Sequence, residues 1–181
     1  INTIFQKDDL HEQALVRCLI EFGNKLWDEN STVAKFLFGQ FDEMELLDSV
    51  DNKLMQRIIY IYRIWHQEGM EPNAKNFLYH EDTEISSGVI KLMMNENEIS
   101  PNWKDYYEGH MPTREDLYKE EVISTLGYVQ LRKIKKMIAE NQKDLEKTTN
   151  PEEQLILIQT HQHLKEMEIE LTKKMGTVII K

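Results

Sequence analysis

Two long runs of helical periodicity, parted only by Thr148-Thr149-Asn150-Pro151, fill the last third of this chain, from Thr113 to Met175. A connector this short leaves two helices no course except back along one another. The spacing therefore predicts an antiparallel pair. A two-helix hairpin is better suited to presenting a surface than to enclosing an active site.

The hairpin signals are chemical as well as periodic. Thr113-Arg-Glu-Asp116 has the form of a capping box, and from it a helix is expected to run to about Glu146. Its apolar spine is Leu131, Ile134, Ile138 and Leu145. Gly127 is the weak point, costing about 1 kcal/mol relative to Ala, and marks either a bend or a close helix contact. Asn150-Pro151-Glu152-Glu153 supplies a cap, a proline at the first helical position and acids in the first turn. Beyond it Leu157, Thr160, Leu164, Met167 and Leu171 alternate three- and four-residue steps, the pattern of a coiled-coil seam ending at Gly176. Leu155, Ile156 and Ile158 lie off this seam and near the tip. A hairpin cannot bury every side of itself, so these three are the candidate partner-binding residues.

The preceding residues also read as helices. Expected segments run from an Asp8 or Asp9 cap to Phe22, from Val33 to Phe41 after Ser31 or Thr32, and from Asn52 to Gln67. Shorter ones run from Ala74 to Tyr79 and from Asp82 or Thr83 to Met94. Residues 95–112 carry the Asn, Ser, Gly and Pro of a loop. The expected fold is all-α: a helical bundle subdomain over residues 1–112, then a long helix and C-terminal antiparallel hairpin over 113–181. A chain opening on Ile1 is expected to be a piece of a longer protein.

Charge narrows the partners. The net charge is −10, and residues 1–112 hold 10 basic against 20 acidic side chains, while the remainder is balanced at 12 and 12. An acidic body repels phosphates, so direct nucleic-acid binding is not expected. Leu131-Arg-Lys-Ile-Lys-Lys136 is the densest basic cluster, and its lysines read as a solvated face around a core-facing Ile134. No apolar stretch approaches a membrane span, and no signal peptide is evident. With Cys18 the single cysteine, no internal disulfide is possible, and cytoplasmic residence is the expectation.

Catalytic and metal chemistry lack their required patterns. The glycines are scattered rather than clustered before a helix, as a phosphate cradle requires. His11-Glu12 begins like a zinc-protease helix, but Leu15 stands where the second histidine is needed. His161 and His163 lie two apart on a helix, about 200° around it, and cannot share a metal. In His80-Glu81-Asp82 the glutamate separates the two groups that a His-Asp phosphohydrolase sets side by side. No catalytic residue, cofactor or metal is expected, and binding is the expected role.

Several stretches, taken in order, resemble the C-terminal, helicase-binding domain of bacterial replicative DNA primases of the DnaG type. Glu12-Gln-Ala-Leu-Val-Arg-Cys-Leu-Ile-Glu-Phe-Gly-Asn24 is similar to that domain's opening helix. Pro72-Asn-Ala-Lys-Asn-Phe-Leu-Tyr-His-Glu-Asp82 resembles its middle segment. Ser100-Pro-Asn-Trp103 precedes the long helix, and Gly176-Thr-Val-Ile-Ile-Lys181 resembles the terminus of some members. The resemblance implies a helical body, a hairpin that docks on the N-terminal domains of the hexameric DnaB-type helicase, and coupling of primer synthesis to the replication fork. It also implies a parent enzyme whose catalytic domain lies upstream. The N-terminal domain of that helicase shares the architecture, so the helicase side, or another helical adaptor or oligomerisation module, stands as the alternative.

Overall fold

The computed structural model describes residues 10–94 and 115–176. Among them are seven α-helices and no strand: α1 Leu10–Phe22, α2 Val33–Glu43, α3 Lys53–Gln67, α4 Ala74–Leu78, α5 Thr83–Met93, α6 Tyr118–Lys147 and α7 Pro151–Lys174. The chain is all-α, as its periodicity predicts. A 3₁₀ turn, Leu46–Ser49, precedes α3 and follows a left-handed Glu45. The loop at 95–112, Trp103, the Asp8 or Asp9 cap and the tail after Gly176 lie outside the described residues.

The starts follow the caps written in the sequence. Thr32, Asn52, Asn73, Asp82 and Asn150 each accept backbone N–H groups in the first turn of α2, α3, α4, α5 and α7. Gly69 and Gly176, both at positive φ, close α3 and α7 where a side chain would strain the backbone. The long helix departs from expectation. Residues 115–117 form a turn, and the helix begins at Tyr118, with Glu121 N–H on the Leu117 carbonyl as its first bond. The tie from the Tyr118 hydroxyl to the Leu26 carbonyl and the Lys25–Glu115 ion pair hold this turn in place.

The described residues form two compact units that divide between Thr125 and Leu126, whereas the sequence places the break at 112/113. The first unit gathers its core from every one of its helices: Leu15 and Leu19 of α1, Leu37 of α2, Ile58 and Tyr62 of α3, Phe77 of α4, Ile85 of α5 and Val122 of α6 are all at or near zero exposure. Gly23, just past α1, lets Tyr62 close in: a Cβ there would lie 2.1 Å from the Tyr62 hydroxyl oxygen. That hydroxyl donates to Asn24, whose amide donates to the Pro72 carbonyl at 2.8 Å. Burial, with the nearby Glu71 charge, pushes the Tyr62 phenol well above its usual range.

One polar group sits deep in this unit. Glu12 is 1% exposed, and its carboxylate accepts from Asp51 N–H at 2.9 Å and Asn52 N–H at 3.0 Å, just ahead of α3. Asn52 then accepts from Leu54 and Met55. Two side chains in relay thus satisfy four donors around a helix start, and the negative charge suits the positive end of the helix dipole. Glu12→Ala is expected to lower unfolding stability by about 2–4 kcal/mol, the cost of orphaning two charge-assisted hydrogen bonds. Urea denaturation measures it.

At the other side of α3, Arg57 bridges Asp82 and Glu84 at the start of α5. The Glu84 N–H, then Arg57, hold the Asp82 carboxyl below the usual carboxylate range. A carboxyl depressed on folding stabilises above its unfolded pKa, and the gain fades as pH falls through the lowered value. Melting temperature followed from neutral to acid pH should therefore drop less for Asp82→Asn than for wild type. The amide keeps the cap and lacks the titrating charge.

Candidate interaction surface

The second unit is an α6–α7 hairpin built around Ile134, Ile138 and Leu164, with Met167 and Leu171 packed against them. Its register is fixed at both ends. Near the base, Met175 packs on Gly127, where a Cβ would sit 2.9 Å from the Met175 sulfur. Gly127 is thus a close-contact position inside a continuous α6. At the tip, the Gln154 side-chain amide donates to the Thr148 carbonyl at 2.9 Å. The same count separates Gly127 from Thr148 along α6 as separates Met175 from Gln154 along α7. Helices of equal rise keep facing pairs in step between two such pins. Ile138 is thereby level with Leu164, Asn141 with His161, and Leu145 with Leu157.

The tip is closed by local chemistry. Asn150 accepts from Glu152 N–H at 3.0 Å, Pro151 opens α7, and the Thr148 hydroxyl donates to the Glu153 carboxylate. With Leu157 turned toward α6, its neighbours are left outside. Leu155 is 58% exposed, Ile156 62% and Ile158 44%. The three do not share one face. At about 100° per residue, Leu155 and Ile158 stand about 60° apart, while Ile156 lies about 160° from Ile158 on the opposite flank. Ile169, also exposed, lies three turns along from Ile158 at nearly the same azimuth. It extends the Leu155–Ile158 stripe. Its off-seam spacing was the signal that could have found it.

One seam position differs from the sequence pattern. Thr160 is exposed and its hydroxyl returns to the Ile156 carbonyl. His161, one residue on, is half-buried, while Leu164, Met167 and Leu171 pack inward as the pattern predicts. Asn141 is 6% exposed, and its Oδ1 and the His161 Nδ1 are buried without a hydrogen-bond partner among the described residues. Each such atom costs about 1–3 kcal/mol. Glu168, also buried, accepts from Lys165 at 2.9 Å.

The other singled-out groups have structural employment. His80 accepts from the Asp82 N–H at 3.1 Å and lies beside the Trp65 ring. Trp27 stacks on Phe36 with centroids 4.0 Å apart. Arg132, Lys133 and Lys136 are half-buried and engaged, leaving Lys135 exposed in the basic cluster. His11 and His163 are both exposed. Among the described residues no group of three or more His, Cys, Asp or Glu side chains could hold a metal ion, and no helix is long and apolar enough to cross a membrane.

Fold and surface together define an all-α chain with a helical bundle and a hairpin whose tip displays apolar side chains. The chain belongs to the family described as a domain of unknown function (DUF8430), whose model matches residues 3–178. No curated protein and no solved structure matches it.

The hairpin core sets the testable scale for this unit. Leu164→Ala, which removes a side chain 4% exposed, is expected to cost about 2–5 kcal/mol. Hydrogen exchange should show faster opening of α7 than of α3, whose core lies in the other unit.

Proposed function

We propose that this chain is a non-catalytic interaction domain of a replicative DNA primase, and that its hairpin binds the N-terminal domains of the hexameric replicative helicase. The observation that carries the reading is the tip of α7. Three large apolar side chains stand in solvent on a hairpin unit with a core of its own. Burying the exposed half of each such side chain against a partner would return on the order of 1 kcal/mol. The resemblance of Glu12–Asn24 and Pro72–Asp82 to the primase domain supplies the partner. On this reading the helical body and hairpin tether an upstream polymerase to the helicase, in the cytoplasm where both act, and need no cofactor, metal or nucleic-acid contact of their own.

Sedimentation of the chain with its cognate hexameric helicase tests the proposal. A complex is expected, and its absence at concentrations on the order of tens of micromolar would sink the reading. Ile158→Asp and Ile156→Asp should each weaken the complex by about tenfold or more while the helical circular dichroism is unchanged. Normal binding by both variants would move the interface off the tip. A complex with the C-terminal domain of the primase, and none with helicase, would instead favour the helicase-side alternative.

A further inference from the structure

The hairpin seam is not uniform along its length. On the base side of the Asn141–His161 layer lies the continuous cluster of Ile134, Ile138, Leu164, Met167 and Leu171. On the tip side Leu145 and Leu157, level with one another, are only half-buried. Between them the Asn141 Oδ1 and the His161 Nδ1 are cut off from water and bonded to nothing among the described residues. The other buried polar groups of the seam are answered: Glu168 by Lys165, and the Thr172 hydroxyl by the Glu168 carbonyl. Closing the tip therefore strands two polar atoms, and opening it returns them to water.

We infer that this layer is a built-in break in the seam. The tip beyond it opens separately, and on opening Leu145 and Leu157 join Leu155, Ile156 and Ile158 in one docking surface. Opening also joins the two flanks, because the uncovered Leu157 lies about 100° from Ile156 on one side and from Ile158 on the other. The tip carries Asp144, Glu146, Glu152 and Glu153 against Lys143 and Lys147. The occupant that fits is an apolar helical face rimmed by basic side chains, packed helix on helix. Its assignment to the helicase rests on the reading proposed above.

Hydrogen exchange on the whole chain tests the break without any partner. The variant Asn141→Leu/His161→Leu fills the layer with seam-type side chains, and Asn141→Leu alone is carried beside it in case the pair disturbs folding. In wild type, amides between Gln142 and Thr160 should exchange about tenfold or more faster than those of Ile134–Ile138. In the double variant the tip amides should slow by about tenfold, with the base amides little changed, and the single variant should move the same way by less. Equal tip exchange in all three proteins overturns the break. So does slowing that vanishes on dilution, since that reports pairing of two copies. Helicase binding is the second arm: the double variant should bind about tenfold more weakly than wild type. A slowed tip with unchanged affinity overturns the docking role of the opening. Wild type that binds no helicase is the failure of the earlier reading, and exchange then decides the break alone.

Discussion

The register of α6 against α7 governs everything the second unit displays. Met175 on Gly127 and Gln154 on Thr148 hold it at its two ends. While the hairpin is closed, each side chain between those pins is committed either to the seam or to solvent. Sliding one helix by a single residue would bury a different stripe and expose the present core. The outward position of Ile156 and Ile158 is thus a consequence of contacts made elsewhere in the hairpin. A glycine at one end and a glutamine at the other select the surface.

The first unit solves a different problem by a related device. Its α3 packs against α1 and α5, and its start is fixed from a distance by Glu12 of α1. Asn24 ties the end of α1 to the segment before α4, and Arg57 ties α3 to α5. Apolar packing alone would leave helices free to slide. These few directional bonds choose one arrangement among the many that bury similar area.

Helices were legible because their boundaries are written in capping residues one to four positions from where they act. Asn52, Asn73, Asp82 and Asn150 each announce a start that the structure honours. The long helix was misplaced at its beginning because its true first turn depends on Tyr118 reaching Leu26 and Lys25 reaching Glu115, contacts across about ninety residues that no local window contains. The seam erred at one position for a similar reason. Thr160 and His161 are neighbours, and both fit a three-four pattern to within a residue. Only the partner helix decides between them. The candidate tip residues were correctly read as off the seam, yet their separation onto two flanks was already implicit in helix geometry.

That separation bears on how many molecules one hairpin can hold. A rigid flat surface laid against α7 covers Leu155 and Ile158, or it covers Ile156, but not all three. A closed hairpin therefore presents two separate apolar patches of small area. The opening inferred above would merge them into one. On the docking role proposed above, stoichiometry, more than strength of binding, is where the two flanks of α7 would leave their mark.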